Sequence, residues 1–258
     1  MTAFTLKMIA LIAMVIDHVG GVFPDQTFFE FRLIGRLTFP IFVYLIAEGF
    51  RHTKSPEKFL LRLFAFALIS EIPYDWAVNR ADNIQNGLSP WHVDFLSQTN
   101  IFYTLFLGGL AIVFFQYIHK SLTQNIEDRN KITVYLSIGL ITAIATLGIM
   151  WQAESLGTDY GGYGVLFILL MYVIKPKWPR IAVFAIMNVL QHRWMYEWFV
   201  SEHTLPLRYY WLIPATLATV PLILLYNGKR GRSLKWLFYA AYPVHLVILA
   251  VIAHFVFI

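Results

Sequence analysis

The sequence of 258 residues contains no cysteine, and only 14% of its residues are charged. Without cysteine the chain has no disulfide, no thiolate nucleophile, no thioester intermediate on the enzyme and no cysteine-ligated metal. Soluble domains carry about 25% charged residues, so the low charge content argues against a soluble globular domain. The motifs GxSxG, GxGxxG and HExxH, which mark several classes of soluble enzyme, are also missing.

Apolar residues make up 58% of the chain, which has 22 phenylalanines and a mean hydropathy of +0.60. Apolar runs of about 20 residues recur along it and predict an all-α polytopic membrane protein. We expect a single domain over residues 1–258, with roughly nine transmembrane helices in one bundle. The predicted helices cover about 5–23, 30–50, 58–79, 99–119, 132–153, 160–175, 179–199, 208–226 and 234–257. The first is interpreted as a retained span and not as a cleaved signal peptide.

Basic residues concentrate in alternate connecting segments, where thirteen of the twenty Lys and Arg residues lie. The positive-inside rule then predicts a cytoplasmic N-terminus and a multi-pass protein of the bacterial cytoplasmic membrane. The +5 net charge is explained by this topology, so we expect the lipid bilayer as a partner and no nucleic acid.

Asp17 and His18 are adjacent within the first apolar run, LKMIALIAMVIDHVGGVF. A charged side chain near the bilayer centre costs roughly 2.5–3.5 kcal/mol on insertion scales, so such residues are usually functional and paired. The two residues are therefore the leading candidates for a site. The alternative is a buried pair that only fixes helix packing.

The second predicted span carries a polar stripe along one side of the helix. Its members follow one another at intervals of four residues: Arg32, Arg36, Pro40, Tyr44 and Glu48. Arg36 lies at a depth comparable to that of Asp17, so we expect an ion pair between them, and a proline kink in the same helix.

The third span adds Glu71 and Asp75 around Pro73. Two carboxylates at that spacing repel each other and require cations or shared protons. The alternative is a structural ion pair with Arg36.

Later spans contribute further polar residues to the outer half of the predicted bundle. Asn100 opens the fourth span, and DYGGYG (159–164) begins the sixth with Asp159 as the expected N-cap and with glycine amides suited to a carbonyl oxygen. Candidates on spans seven and nine are Asn188, Gln191, His192, Tyr242 and His245. These groups predict an outward-leaning polar cavity, although an ordinary helix start and packing histidines are the simpler alternatives.

A basic cluster, NGKRGRSLK (227–235), follows the eighth span. It is mainly a topology signal, with phosphate recognition as the second interpretation. It lacks the glycine and hydroxyl positions of a Walker motif.

The opening of the chain resembles the TraX family in three runs: LKMIALIAMVIDHVGGVF, RLIGRLTFPIFVYLIAEGFRHT and FALISEIPYD. Four later runs follow in the family's order: NIFYTLFLGGLA (100–111), DYGGYGVL (159–166), LYNGKRG (225–231) and YPVHLVIL (242–249). The resemblance implies an integral membrane protein associated with N-terminal acetylation of conjugative pilin. The family is also distantly similar to ten-helix membrane acyltransferases, in which a histidine of the first helix is the presumed catalytic residue, and His18 is the match.

The resemblance implies acetyl transfer from cytoplasmic acetyl-CoA to an amine or hydroxyl acceptor, which is a protein such as pilin, a glycan or a small molecule. His18 would be the general base, with Asp17, Glu71 or Asp75 setting its tautomer. Arg36 or the amides of Gly161 and Gly162 would stabilise the oxyanion. Lys229, Arg230 and Arg232 would hold the phosphates of acetyl-CoA, and no metal is expected. The expected substrate-binding residues are Arg36, Glu71, Asp75, Asn100, Asp159, His192 and His245.

Two other functions remain open from the sequence. A proton-coupled secondary transporter would use Asp17, His18, Arg36 and Glu71 as a relay. A membrane assembly factor without enzymatic activity would use the same polar residues only for packing.

Overall fold

The computed structural model describes residues 1–23, 29–124, 131–192 and 207–256, and the side chains of residues 207 and 208 are not included. Residues 24–28, 125–130, 193–206 and 257–258 lie outside the described residues, and they include the end of the seventh predicted span.

Within these ranges the chain is helical and has no strand. The helices are α1 (Ala3–Val22), α2 (Phe29–Gly35), α3 (Thr38–His52), α4 (Pro56–Ala77), α5 (Arg80–Gln85), α6 (Ile101–Thr123), α7 (Lys131–Ser155), α8 (Gly161–Val173), α9 (Lys177–Leu190), α10 (Leu212–Leu217), α11 (Thr219–Leu224) and α12 (Lys235–Val256). A 3₁₀ helix, Leu207–Trp211, precedes α10.

Five helical segments of the described chain are long and apolar enough to cross a membrane: α1, α2 with α3, α6, α7 and α12. This confirms the prediction of an all-α protein with several candidate membrane spans. The count of nine spans and the cytoplasmic N-terminus stay predictions. Helix α8, for example, is apolar but has 13 residues, a length of about 20 Å against a hydrocarbon core of about 30 Å.

The predicted second span is broken between α2 and α3, one turn before Pro40. Proline has no amide hydrogen to donate to the carbonyl four residues earlier, which here belongs to Arg36. At the break the amides of Arg36 and Leu37 bond three residues back, at 3.2 Å each. The expected kink is confirmed, and it places Arg36 at the end of α2, beside α1.

The predicted span 208–226 is helical over Tyr209–Leu224, but it is not one regular α-helix. The described chain forms a 3₁₀ helix followed by α10 and α11, which meet at Ala218. Pro214 and Pro221 each occupy the first turn of a short helix, the position where a missing amide hydrogen is tolerated. The segment is therefore divided at its prolines.

The chain divides into two compact units. The first unit comprises Met1–Leu45, Ile69–Val93 and Ile174–Ile258, and the second comprises Ile46–Leu68 and Asp94–Val173. In the first unit α1 packs against α2 and α12, while α10 packs against α2 and α9. In the second unit α6, α7 and α8 pack against one another. A Cβ at Gly108 would overlap Ile168, so the glycine allows α6 and α8 to approach closely.

Candidate functional site

His18 and His245 are joined by a hydrogen bond in the first unit, although 227 positions separate them in sequence. Nδ1 of His18, on α1, lies 2.6 Å from Nε2 of His245, on α12. The ring planes differ by 9° and their centroids are 4.8 Å apart. The contact between α1 and α12 thus brings together two predicted site residues that lie on the first and the last predicted span.

The donor and acceptor of this bond follow from the next bond along α12. Nδ1 of His245 lies 2.7 Å from the carbonyl oxygen of Ala241. A carbonyl oxygen only accepts, so Nδ1 of His245 carries the hydrogen, and in the neutral ring Nε2 is then an acceptor. Nδ1 of His18 must therefore donate to it. The neutral His18 ring is left with an unprotonated Nε2, which is the nitrogen a general base requires.

The ring of Tyr242 packs against both histidines. Its ring meets His18 edge to face at a centroid distance of 5.6 Å and His245 at 5.7 Å. Tyr242 is 3% exposed, whereas His18 keeps intermediate exposure. The packing restricts rotation of both imidazoles while His18 stays partly accessible.

Asp17 is paired with two arginines, Arg32 of α2 and Arg36, which directly follows α2. Its Oδ1 lies 3.2 Å from Nη2 of Arg36, and its Oδ2 lies 3.0 Å from Nη1 of Arg32. The expected Asp17–Arg36 ion pair is therefore confirmed, and Arg32 is an additional partner. A Cβ at Gly35 would overlap the carboxylate of Asp17, so glycine at this position is what lets α1 and α2 meet at the ion pair.

The prediction that a carboxylate sets the tautomer of His18 is wrong. The Nδ1 that Asp17, Glu71 or Asp75 would have to engage is bonded to His245 instead. Successive side chains on a helix diverge by about 100°, so Asp17 faces α2 while His18 faces α12.

Glu71 and Asp75 are both buried on α4, with exposures of 0% and 2%. Oδ1 of Asp75 accepts a hydrogen bond of 2.6 Å from Nδ2 of Asn79, one turn further along the chain. The two carboxylates belong to the same unit as His18, and their role in substrate binding stays a prediction.

His192 lies at the start of a buried polar seam between α9 and the pair α10–α11. Its Nε2 is 2.7 Å from Oγ1 of Thr216, and that hydroxyl donates to the carbonyl of Leu212. Because the hydroxyl hydrogen is used, Nε2 of His192 is the donor. Asn188, on the same face, donates to Thr219 at 3.4 Å. The seam ties α9 to the short helices and accounts for His192 as a packing residue, while its role in binding stays a prediction.

Asn100 and Asp159 belong to the second unit. Asn100 caps α6 by accepting a bond from the amide of Phe102 at 2.9 Å, and its Nδ2 donates to the carbonyl of Ala67. Asp159 is exposed and precedes α8. Both remain predicted binding residues.

The glycine amides of α8 are used within the chain. Gly162 donates to Oε1 of Glu154 at 2.9 Å, and Gly161 donates to the carbonyl of Thr158 at 2.8 Å. The prediction that these amides stabilise an oxyanion is therefore wrong.

The basic residues Lys229, Arg230 and Arg232 are exposed on a loop that lies against the first turn of α1. The amides of Ala3 and Phe4 donate to the carbonyls of Lys229 and Arg230, at 2.8 and 3.1 Å. The loop is thereby fixed by its backbone, and the three basic residues are exposed, with Nη2 of Arg230 donating to Oγ of Ser233 at 2.9 Å.

Two buried arginines were not among the predicted site residues. Arg180, at the edge of the predicted span 179–199, lies in the first turn of α9 with its guanidinium 4.0 Å above the ring of Tyr44. Arg80, assigned to an external loop, is 7% exposed and lies over Trp91. Neither arginine has a sequence pattern that indicates burial, because each follows a proline or an asparagine at the edge of a predicted span. Within the described ranges no three His, Asp or Glu residues are grouped to hold a metal ion.

A family model described as TraX protein matches residues 3–253 of the chain. The chain is 30% identical over 259 residues to a probable fimbrial assembly protein FimC, serogroup H1, of Dichelobacter nodosus, covering 96% of this chain and 94% of that protein. It is also 26% identical over 173 residues to an uncharacterized protein of Rickettsia prowazekii (strain Madrid E), covering 67% and 55%. No solved structure matches.

Proposed function

The chain belongs to the TraX family, and from this membership we propose that it is a membrane-embedded acetyltransferase that uses acetyl-CoA. Its acceptor carries an amine or a hydroxyl, on a protein such as pilin, on a glycan or on a small molecule. A relative named as a probable fimbrial assembly protein favours the amine of a pilin N-terminus among these. The active domain in this proposal is the whole transmembrane chain.

The observation that carries the proposal is the chain of hydrogen bonds from the Ala241 carbonyl through His245 to His18. It leaves Nε2 of His18 unprotonated, on a residue of intermediate exposure. General-base catalysis requires such a nitrogen within hydrogen-bond reach of the proton it removes. His18 is thus the catalytic base, and His245 is the positioning residue that fixes its tautomer.

In the reaction, the acceptor nitrogen or oxygen attacks the thioester carbonyl carbon and forms the new acyl bond. Nε2 of His18 removes the proton from the acceptor as the bond forms. The carbon–sulfur bond then breaks, and His18 returns the proton to the departing thiolate. The products are the acetylated acceptor and free CoA, and His18 ends neutral, as it began.

Asp17 and Arg36 complete the proposed site. Nη2 of Arg36 is held by Asp17 and Nε by the carbonyl of Arg32, at 3.2 and 3.0 Å. Asp17 therefore has the role of a positioning residue, and Arg36 supplies positive charge beside α1, where the thioester oxygen becomes negative.

Lys229, Arg230 and Arg232 are proposed to bind the phosphates of acetyl-CoA. Exposed guanidinium and ammonium groups suit this role because they form charge-assisted bonds with phosphate oxygens. The loop contacts Phe4, and His18 lies fourteen positions further along α1, a distance of about 21 Å. The pantetheine arm would have to extend along α1 over that distance.

The test uses the full-length protein reconstituted in lipid nanodiscs with labelled acetyl-CoA. Two peptides of the same sequence serve as acceptors, one with a free and one with a blocked N-terminal amine. The proposal expects label on the free peptide and release of CoA, both lost in His18→Ala. Proton-coupled solute flux in liposomes, with no acetyl transfer to the peptides or to membrane extracts, would establish transport instead.

A further inference from the structure

Arg80 is a buried cation with an unpaired nitrogen. The residue is 7% exposed, and its Nη1 has no hydrogen-bond partner among the described residues. No carboxylate oxygen of the described chain lies within ion-pair distance of it. Burying a charge without a partner is costly, so buried charges are normally paired or bind a counter-ion.

Trp91 lies next to Arg80, and His254 contacts the same indole. The guanidinium carbon of Arg80 is 5.8 Å from the centroid of the Trp91 ring, and the His254 ring is 5.1 Å from the same centroid. Nδ1 of His254 is also buried without a hydrogen-bond partner in the described part of the chain. Two unsatisfied nitrogens, from α5 and from the end of α12, thus flank one indole, and we name these three residues the Arg80 cluster.

The cluster is held in place by its neighbours. Nε1 of Trp76 donates to the backbone carbonyl of Trp91 at 3.0 Å, and the two indoles meet edge to face at 5.3 Å, which fixes Trp91 against α4. Two acidic residues lie on the adjoining helices. Asp75 accepts a bond from Asn79, and Asp82 is exposed on α5. Neither forms an ion pair with Arg80 in the described part of the chain.

We propose that the Arg80 cluster binds a phosphate group, with Arg80 and the Nδ1–H of His254 as donors to its oxygens. Guanidinium groups form charge-assisted bonds to phosphate oxygens, and arginine is the usual residue for this task. The surroundings suit the headgroup of a phospholipid, because Ile84 and Leu88 are exposed by 50% and 44%, and tryptophan favours the level of the headgroups. Free phosphate has the same chemistry, and the experiment separates the two sources.

The experiment uses full-length protein purified in dodecyl maltoside, which contains no phosphate. Three probes are titrated: phosphatidylglycerol, a galactolipid with the same acyl chains, and inorganic phosphate. Binding is measured by native mass spectrometry and by the shift in unfolding temperature. The variants are Arg80→Gln, His254→Phe and, as a control, Arg62→Gln, because Arg62 lies 5.6 Å over the ring of Phe59 in a comparable cation–π contact.

The proposal expects the wild type and Arg62→Gln to bind phosphatidylglycerol more tightly than the galactolipid. Arg80→Gln should weaken phosphatidylglycerol binding about 10- to 100-fold, the value of a charged hydrogen bond. His254→Phe, which keeps the ring contact, should weaken it about 2- to 10-fold, and it carries the test if Arg80→Gln does not fold. Saturation by inorganic phosphate at the same site would identify free phosphate as the ligand.

Two results would overturn the proposal. One is equal binding of phosphatidylglycerol and galactolipid by the wild type, with no effect of inorganic phosphate. The other is unchanged phosphate binding in the folded variants of Arg80 and His254.

Discussion

Nδ1 of His18 lies 2.6 Å from Nε2 of His245, and this bond orients the imidazole of α1 through a second imidazole on α12. The carbonyl of Ala241 accepts a hydrogen bond from Nδ1 of His245, so Nδ1 of His18 is the donor in the bond between the two histidines. In the proposed mechanism His18 is therefore oriented by a neutral histidine and a backbone carbonyl, and not by a carboxylate.

Replacing His245 should reduce acetyl transfer without abolishing it. In His245→Ala the Nδ1–H of His18 loses its acceptor, so the ring is free to adopt the wrong tautomer or to rotate. We expect a loss of about 10- to 100-fold in kcat, which is part of the 10²–10⁴-fold of general-base catalysis. The combination with His18→Ala should be no slower than His18→Ala alone, because the two residues act as a unit. Additive losses in the double variant would refute the coupling.

Gly35→Ala should disrupt the ion pair of Asp17. A Cβ at this position meets the Asp17 carboxylate, and overpacking of this kind costs about 1–3 kcal/mol. Gly139→Ala is the matched control, because a Cβ there has nothing within 4 Å and alanine favours a helix by about 0.5–1 kcal/mol over glycine. Thermal unfolding in detergent measures both, and equal stability of the two variants would contradict the close contact.

Arg32 and Arg36, the two ion-pair partners of Asp17, should contribute unequally to the free energy of unfolding. The Arg32 side chain is 40% exposed and that of Arg36 16%, and exposed ion pairs contribute about 0–1 kcal/mol. Arg32→Gln should therefore change the free energy of unfolding little, whereas Arg36→Gln should cost about 1–3 kcal/mol. Asp17→Asn should be the most damaging of the three, since it weakens both contacts. Chemical denaturation in micelles measures the loss of stability in each variant. A larger loss for Arg32→Gln than for Arg36→Gln would contradict the expected order.

Thr216→Val should destabilise the protein while leaving catalysis intact. The substitution keeps the shape of the side chain but leaves Nε2–H of His192 buried without its acceptor, at a cost of about 1–3 kcal/mol. Ser137→Ala is the control, since that hydroxyl is exposed and bonds only within its own helix. A large fall in kcat at unchanged stability would show instead that His192 contacts the substrate.

Neutralising the basic loop should weaken binding of acetyl-CoA. Lys229→Gln combined with Arg230→Gln is expected to raise KM for acetyl-CoA about tenfold, with kcat nearly unchanged, because uniform binding is removed. The effect should shrink at high salt, since these groups are exposed. Lys120→Gln, also exposed, serves as the control. An unchanged KM would exclude the loop from the cofactor site.

Hydrophobic run length and proline positions predicted much of the fold. The first span and the kink before Pro40 match α1 and the α2–α3 break, because both depend on local chemistry. The predicted span 208–226 is also helical, over Tyr209–Leu224, but its interruptions were not predicted, because the apolar run hid the effect of Pro214 and Pro221. A run of apolar residues reports burial in lipid or protein, and it does not by itself report helix continuity.

The candidate site was predicted only in part, because position along a span is local information and the packing of one helix against another is not. Equal depth predicted the Asp17–Arg36 pair, because depth follows from position along a span. The His18–His245 bond depends on which helices pack together, and no local pattern records that. Arg80 was missed because its contact with Trp91 depends on how the segment after α4 folds back, which no local pattern records.

The central claim is tested most directly by single-turnover acetyl transfer in nanodiscs, with labelled acetyl-CoA and the free-amine peptide, comparing wild type, His18→Ala and His245→Ala. The proposed mechanism predicts transfer in the wild type, a loss of about 10²–10⁴-fold in His18→Ala and an intermediate rate in His245→Ala, with all three proteins folded and binding acetyl-CoA. Equal transfer by wild type and His18→Ala would contradict it.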